Sequence, residues 1–291
     1  MAGQAFGCGQ CMSCRLNKKR LWMHRIMLES RLHEHNTFVT LTYSDDHLPE
    51  GGSLAPRHTQ IWLKKLRKHL ESTAFNKVRY YLVGEYGDKS QRPHYHVALF
   101  GYPSCARGRS SYTSRRTSCC QHCDLIRDTW GYGQVYLGDL TTDSAQYIAG
   151  YVTKKMTAKD DPRLNGRHPE FARMSLRPGI GADAVHDIAS ALLTFGLDLT
   201  EADVPVSLRH GKKILPLGRY LRKKLRLALG KDEKCPDEVL IQMAQEMRSM
   251  QLAIKNDPEN PSIKRKIVDD SKQPILNMTA NERSRKNRRI L

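Results

Sequence analysis

Residues 78–100 read VRYYLVGEYGDKSQRPHYHVALF, and this stretch determines the predicted fold. Val78–Tyr86 and His94–Phe100 are rich in β-branched and aromatic residues, a composition typical of strands. Gly87–Pro93 supplies turn residues between them. The stretch is therefore predicted to form two strands that pair as an antiparallel hairpin.

The flanking segments continue an alternation of strands and helices. Upstream, the sequence predicts a strand over Thr37–Tyr43 and a helix over His58–Ser72, which has apolar residues at helical spacing. Downstream, it predicts a short helix over Asp124–Trp130, a strand over Gln134–Leu140 and a helix capped at about Asp143 that ends near residue 156. The order β-α-β-β-α-β-α predicts an α+β fold with a ferredoxin/RRM-like antiparallel sheet. In this fold the helices cover one face, and we expect the other face to be free for a ligand.

Four regions are predicted along the chain. Residues 1–36 form a Cys-rich segment and a helix, and residues 37–159 form the sheet core, with a Ser/Arg/Gly-rich, Cys-containing insertion at 101–123. Residues 160–255 form a basic, mostly helical extension, and residues 256–291 form a basic tail that we expect to be disordered. The helices of the extension are predicted over Asp183–Phe195, Arg219–Leu229 and Glu238–Ile254.

The charge balance favours a polyanionic partner. The chain has 291 residues, with 48 Lys and Arg against 30 Asp and Glu, so its formal net charge is +18. Each phosphate that is neutralised by Lys or Arg releases counterions, so nucleic acid fits this excess better than a solvated surface without a partner. No apolar run approaches the roughly 18 residues that span a bilayer, and the N-terminus lacks the apolar core of a signal peptide, which argues against membrane and secreted classes.

The sequence His94-Tyr95-His96 is the first candidate site. In a strand, residues two apart project from the same face, so the two imidazoles can converge on one cation. If Glu85 pairs opposite His94 in the hairpin, its carboxylate shares that face, whereas a slip of one residue would reverse it. Two histidines and a carboxylate suit Mg²⁺, Mn²⁺ or another first-row metal near a phosphate. Two unrelated histidines and a salt bridge of Glu85 at the hairpin end remain alternatives.

Tyr147 and Tyr151 form the second candidate site. Positions four apart on a helix lie on one face, so both hydroxyls can reach the same point. A tyrosine with a pKa near 10 is a poor nucleophile unless a metal or an ammonium group stabilises the phenolate. Lys154 and Lys155 follow within about a turn and could contact phosphate or face water. Packing of the two tyrosines in the core is the alternative.

The eight cysteines are clustered, which is typical of metal ligands. The pairs Cys11/Cys14 and Cys120/Cys123 have the spacing of a structural zinc site, with Cys8, Cys119 and His122 as alternate ligands. Such a site would join the N-terminal segment to the insertion. Reduced thiols in two unrelated loops remain the alternative.

Three stretches resemble motifs of the HUH rolling-circle initiators in their order along the chain. They are Phe38-Val39-Thr40-Leu41-Thr42-Tyr43, Arg92–Phe100, and Tyr147-x-x-x-Tyr151-x-x-Lys154-Lys155. The sequence is most similar to the replication-associated proteins of the Microviridae, particularly the gokushoviruses. The Cys8–Arg15 and Met174–Gly181 segments also resemble that family, so the similarity covers roughly residues 7–225.

The resemblance implies a DNA endonuclease and strand transferase on the HUH fold. His94 and His96 would be metal ligands for Mg²⁺ or Mn²⁺, with Glu85 as a candidate third ligand, and Tyr147 and Tyr151 would be alternating nucleophiles that form a 5′-phosphotyrosine intermediate. Relaxases of this superfamily have a third histidine where this chain has Leu99, so the third ligand must be Glu85 or water. The predicted DNA contacts are Arg15, Lys18, Lys19, Arg20, Arg92 and Arg177.

The implied role is initiation of rolling-circle replication at a viral origin on single-stranded DNA, in the cytoplasm of a bacterial host. No Gly-x-x-x-x-Gly-Lys-Ser/Thr motif occurs in the chain, so we expect a host helicase and polymerase to act with it. The sequence does not determine an oligomeric state. Two alternatives remain: a non-catalytic, zinc-stabilised protein that binds single-stranded DNA or RNA, and a single-strand transposase of the same superfamily.

Overall fold

The computed structural model describes residues 12–75, 77–108, 118–151, 161–197 and 202–256. The helices in these ranges are α1 (Met12–Ser30), α2 (Pro56–Leu70), α3 (Gln121–Trp130), α4 (Thr142–Gly150), α5 (Ala184–Thr194), α6 (Gly218–Ala228) and α7 (Asp237–Asn256). The strands are β1 (Asn36–Thr42), β2 (Arg79–Tyr86), β3 (Pro93–Phe100), β4 (Val135–Asp139), β5 (Phe171–Met174), β6 (Ser207–His210) and β7 (Lys213–Pro216).

Five strands form the main sheet, in the order β4-β1-β3-β2-β5, and all neighbours are antiparallel. The order β4-β1-β3-β2 is that of a ferredoxin-like sheet. The α+β prediction is therefore confirmed. The predicted strands and the helices α2 and α3 are all present, with boundaries that differ by one to three residues.

The strand β3 is buried on both of its faces. Tyr95, Val97 and Leu99 point towards α2 and α3, where they pack with Trp62 and Trp130 in the larger core. The alternate residues of β3 point to the opposite face of the sheet. A strand that is apolar on both faces requires a layer on each side.

The helices α1 and α4 cover the second face, so the expectation of a free face was wrong. Ile26 of α1 and Ile148 of α4 pack in one cluster with Tyr81, Ala98 and Phe100 of the sheet. These sheet residues are apolar and would otherwise be exposed to water. A ligand can therefore reach this face only near its edges, and not across an open surface.

A capping box at Thr141 determines where α4 begins. The Ser144 amide donates to the Thr141 hydroxyl at 3.2 Å, and the Thr141 amide donates to the Ser144 hydroxyl at 2.7 Å. The predicted cap at Asp143 was therefore wrong by two residues, because Asp143 lies within the first turn. The predicted end near residue 156 falls among residues 152–160, which lie outside the described ranges.

Two strand segments of the C-terminal half were not predicted. The strand β5 adds to the sheet edge, where Ala172 pairs with Val83, and it lies in a stretch that the sequence analysis assigned to the helical extension. The strands β6 and β7 form a separate hairpin. Each of these strands has only four residues, which is too short for a clear two-residue periodicity.

The helices α5 and α6 form a third core with the end of α1. Leu217, Leu221 and Leu225 pack against Val185 and against Leu28. The helices predicted over 183–195, 219–229 and 238–254 are thus present as α5, α6 and α7, within two residues at each boundary. No helix among the described residues is both long and apolar enough to cross a bilayer.

Candidate active site

Three side chains that can bind a metal meet where β2 and β3 approach their shared turn. Glu85 pairs with His94 and Val83 pairs with His96, which is the register that puts all three side chains on one face. One carboxylate oxygen of Glu85 lies 2.7 Å from His94 Nε2 and 3.1 Å from His96 Nε2. Glu85 and His96 are buried, and His94 is half-buried.

The second nitrogen of each imidazole has its own partner. His94 Nδ1 donates to the Arg92 carbonyl oxygen at 3.1 Å, and His96 Nδ1 lies 3.0 Å from the Thr40 hydroxyl. Contacts of this kind fix the ring orientation of metal-binding histidines. Both Nε2 atoms are thereby directed at Glu85.

This donor set fits a divalent cation. Because His94 Nδ1 donates to a carbonyl, a neutral His94 carries only a lone pair on Nε2, facing the Glu85 oxygen. That contact is favourable only when His94 is doubly protonated or when a cation lies between the two atoms. Two imidazoles and one carboxylate match first-row metals and also hard cations that keep water ligands. Cofactor chemistry is thus possible at this point, although the donor set does not select one metal.

Glu85 carries a negative charge at neutral pH. Burial opposes ionisation of the carboxyl, but the hydrogen bonds with His94 and His96 outweigh it and hold the pKa of Glu85 well below its usual range. An ionised carboxylate that is buried requires a positive partner. Either the imidazolium rings or a bound cation can serve as that partner.

The aromatic rings of Tyr147 and Tyr151 lie beside the histidines. The Tyr147 hydroxyl is 3.3 Å from His96 Nε2, and the Tyr151 ring stacks on the His96 ring, with centroids 5.5 Å apart. The two tyrosine rings are perpendicular, 5.0 Å apart. Their separation by four residues, from within α4 to the residue after its end, brings both to the same point.

Tyr151 resists ionisation in this environment. Burial, the charge of Glu85 and the neighbouring Tyr147 hydroxyl all raise the pKa of Tyr151 above its ordinary value. Tyr151 also forms a side-chain hydrogen bond with Glu85. A positive charge that offsets Glu85 would therefore make the Tyr151 phenolate easier to form.

Phe38 and Thr40 are site residues that sequence reasoning did not single out, although both lie in the first motif. The Phe38 ring stacks on the His96 ring with centroids 5.5 Å apart, and Thr40 pairs with His96 between β1 and β3. Strand alternation puts both on one face of β1. The register of β1 against β3 joins residues about 56 positions apart, and no local pattern encodes it.

A cavity of about 250 Å³ opens beside the carboxylate. It is lined by Lys18, Val83, Gly84, Glu85, Tyr151, Glu170, Phe171 and Ala172. Gly84 is required here, because a Cβ atom would lie 2.7 Å from the Phe171 ring. Lys18 was predicted to contact DNA, and Glu170, a buried carboxyl that accepts from the Tyr86 amide at 3.2 Å, was not singled out from the sequence.

The other basic residues predicted to contact DNA have varied environments. Arg20 donates to the Ile214 carbonyl at 2.6 Å, and Arg92 forms a 2.7 Å ion pair with Asp45. Lys19 is buried, its ammonium nitrogen 3.5 Å from the position of a Cβ atom on Gly150. Arg15 is half-buried and Arg177 is exposed, whereas Lys154 and Lys155 lie outside the described residues.

Four cysteines form a second cluster with metal-binding geometry. The sulfur atoms of Cys105, Cys119, Cys120 and Cys123 all lie within 4.8 Å of one another. The predicted combination of Cys120 and Cys123 with Cys14 was wrong, because Cys14 is not in this group, while Cys8 and Cys11 lie outside the described residues. His122, an alternate ligand, is also not in the group, and its Nδ1 donates to the Ser104 carbonyl at 3.1 Å.

Cys105 was missed as a ligand because it has no cysteine within the three- to five-residue spacing of common zinc motifs. Its nearest cysteine in the sequence is Cys119, beyond the Arg- and Ser-rich part of the insertion. The folded insertion brings the two together. A search for cysteines at both ends of one loop would have found this signal.

Comparisons with known proteins agree with the motif resemblance. Residues 36–156 match the family model of the replication-associated protein ORF2. The chain is 36% identical over 173 residues to the replication-associated protein VP4 of Bdellovibrio phage phiMH2K, which covers 55% of this chain and 52% of that protein. It is also 36% identical over 187 residues to the replication-associated protein ORF2 of Spiroplasma virus 4, covering 60% of this chain and 55% of that protein.

The replication-associated protein ORF4 of Chlamydia phage 1 is 30% identical over 157 residues, which is 53% of this chain and 39% of that protein. The chain thus spans about half the length of the first two relatives, and less of the third. No solved structure matches the chain significantly. The predicted resemblance is confirmed: the part of the chain that contains the sheet and the candidate site is similar to the replication-associated proteins of phages.

Proposed function

We propose that this chain initiates rolling-circle replication by nicking single-stranded DNA at a phage origin and rejoining it through a tyrosine. The main support is one observation, the gathering of two tyrosines and a His₂-Glu set at one point. The Tyr147 hydroxyl lies 3.3 Å from His96 Nε2, and the Tyr151 ring stacks on His96. The similarity to phage replication-associated proteins gives the biological setting.

The proposed reaction exchanges one phosphoester for another. The tyrosine oxygen attacks the phosphorus, the bond to the 3′ oxygen breaks, and the proton lost by tyrosine ends on that 3′ oxygen. The 5′ phosphate stays on the tyrosine, so the energy needed for rejoining is retained. A divalent cation bound by Glu85, His94 and His96, for which we propose Mg²⁺ or Mn²⁺, would polarise the phosphate and offset the developing charge.

Two neighbouring nucleophiles suit repeated rounds of cleavage. While one tyrosine carries the 5′ end of the displaced strand, the other can attack the regenerated origin. The two rings lie 5.0 Å apart beside the same imidazole, so either hydroxyl needs only a small movement to reach a phosphate bound there. A transposase that cuts once has less need of a second nucleophile.

The proposed substrate is single-stranded DNA in a bacterial host cell. The net charge of +18 favours a polyanion, and Lys18 lies at the cavity beside Glu85 and Tyr151, where a phosphate would have to pass. We expect a host helicase and polymerase to unwind and copy the template. The alternative of a binding protein without catalysis predicts DNA binding but no covalent product.

The test is formation of a covalent protein–DNA adduct. The full chain is incubated with end-labelled single-stranded oligonucleotides that cover a related phage genome, with Mn²⁺ or Mg²⁺, and denatured in detergent. We expect a labelled adduct that is lost with EDTA and in the double variant Tyr147→Phe/Tyr151→Phe. DNA binding by that variant should persist, which serves as the control for folding. An adduct that survives the double substitution would exclude the proposal.

A further inference from the structure

The second metal-binding cluster lies on the opposite side of the sheet from the candidate active site. Cys105 lies in the loop that follows β3, Cys119 and Cys120 immediately precede α3, and Cys123 lies in its first turn. Cys105 and Cys123 belong to the core cluster that contains Val97. The nicking reaction proposed above makes no use of these four side chains.

The sulfur positions match tetrahedral zinc. The Sγ atoms of Cys105 and Cys119 are 3.6 Å apart, and those of Cys105 and Cys120 are 4.0 Å apart. Four sulfurs at about 2.3 Å from a tetrahedral Zn²⁺ would be separated by roughly 3.8 Å. A disulfide would require about 2.05 Å. The observed separations are therefore those of ligands around an ion.

The local electrostatics favour a cation at this point. Burial raises the pKa of the Cys123 thiol, and the neighbouring thiols raise it further. Gathering four sulfurs in an apolar environment is thus unfavourable for thiolates unless a cation compensates them. Cys120 is the N-cap of α3 and Cys123 follows within its first turn, where the positive end of the helix dipole also favours thiolates.

Hydrogen bonds fix the segments that carry the sulfurs. The Cys119 amide donates to Asp124 at 3.1 Å, and the Ser118 hydroxyl donates to the same carboxylate at 2.6 Å. On the other side, the Tyr102 hydroxyl donates to the His122 carbonyl at 2.8 Å. These contacts give the cluster the supporting shell that is typical of a preorganised metal site.

We propose that Cys105, Cys119, Cys120 and Cys123 bind one structural zinc ion. Four thiolates complete a tetrahedral site and leave no open position for catalysis. The ion joins the loop after β3 to the start of α3 and so fixes α3 against the sheet. At the far end of α3, the Trp130 indole donates to the Thr42 carbonyl at 2.8 Å, so this clamp also supports the end of β1.

The experiment measures metal content in the full chain, purified without chelators. We expect one zinc per chain in the unaltered protein and a loss of most of that zinc in Cys105→Ser and in Cys119→Ser. The matched controls Cys14→Ser and Cys235→Ser should keep one zinc per chain. Retention of zinc in Cys105→Ser together with its loss in Cys14→Ser would overturn this ligand set, as would the absence of zinc from the unaltered chain.

A second measurement does not depend on whether the variants fold. Exchange of zinc for Co²⁺ in the unaltered chain should give the absorption bands of a tetrahedral four-thiolate site, including intense sulfur-to-cobalt charge transfer. A spectrum of octahedral Co²⁺ without charge transfer would overturn the proposal. Neither readout involves DNA, so the zinc site can fail while the nicking function holds, and the reverse.

Discussion

At the scale of single residues, His96 is the centre of the candidate active site. It contacts Glu85 and Tyr147 through Nε2, Thr40 through Nδ1 and Phe38 through its ring. Each of these contacts restricts the rotation of the imidazole. An imidazole that is fixed in this way binds a metal without losing further side-chain freedom.

The first prediction concerns Thr40. We expect Thr40→Val to weaken binding of Mn²⁺ by about 10- to 100-fold, because the substitution removes the partner of His96 Nδ1. The measurement is calorimetric titration of the full chain with Mn²⁺. Thr37→Val is the matched control, since the Thr37 hydroxyl donates to the Gly138 carbonyl on the other face of the same strand. Equal Mn²⁺ affinity in the two variants would count against the role assigned to Thr40.

The extent to which single residues could be predicted depended on sequence distance. Glu85 and His94 are nine residues apart in one hairpin, so alternation and turn length were enough to predict their pairing. Phe38 and Cys105 became part of their clusters only through contacts between distant segments. No short-range pattern carries such information.

At the scale of elements, α4 positions both tyrosines, and its capping box determines where that helix starts. The second prediction is that Thr141→Ala lowers the free energy of unfolding by about 1 kcal/mol, because the Ser144 amide loses its acceptor. Urea denaturation measures this change. Thr142→Ala is the matched control, since Thr142 lies inside the helix and does not form the cap. A similar loss in both variants would contradict the assignment of the cap.

Among the elements, the long periodic segments were predicted and the short ones were not. The helix α2 has Trp62, Leu66 and Leu70 on its buried side, so helical periodicity was clear. The strand β5 has only four residues, and pairing with β2 stabilises it more than its own composition does. The packing of α1 on the second face was also not predictable, because helical periodicity does not identify the partner surface.

At the scale of the whole molecule, Glu29 connects three parts of the chain. This buried carboxylate of α1 accepts from Arg79 of β2, from the Gly181 amide at 2.6 Å and from His33 at 3.3 Å. Burial opposes its ionisation, but the hydrogen bonds from His33, Gly181 and Arg79 outweigh that effect and lower the pKa of Glu29. Glu29 is therefore ionised in the folded protein at neutral pH.

The third prediction follows from this depressed pKa. A carboxyl whose pKa is lower in the folded state adds stability above its unfolded pKa, and this contribution is lost as the pH falls below about 4.3. We expect Glu29→Gln to lower the melting temperature at pH 7 and to narrow the difference from the unaltered chain at acidic pH. Thermal melts from about pH 3 to pH 7 measure both effects. A difference that stays constant over this range would contradict the prediction.

The fourth prediction concerns the overall charge. If about five phosphates of single-stranded DNA are contacted, the logarithm of the binding constant should fall with the logarithm of salt concentration with a slope of roughly −3.5. Lys18→Gln should reduce the magnitude of that slope by about 0.7, since one phosphate contact is lost. Lys231→Gln, on the segment after α6, is the control. Affinity that is independent of salt would show that the basic surface does not bind DNA.

The central claim is that a tyrosine of α4 or the residue after it becomes linked to DNA. The most direct measurement is to trap the adduct of the unaltered chain, trim its DNA with nuclease and locate the remaining nucleotide by mass spectrometry of the proteolysed protein. The account predicts the nucleotide on Tyr147, on Tyr151, or divided between them. A nucleotide attached to any other residue, such as the nearby Tyr136, would contradict it.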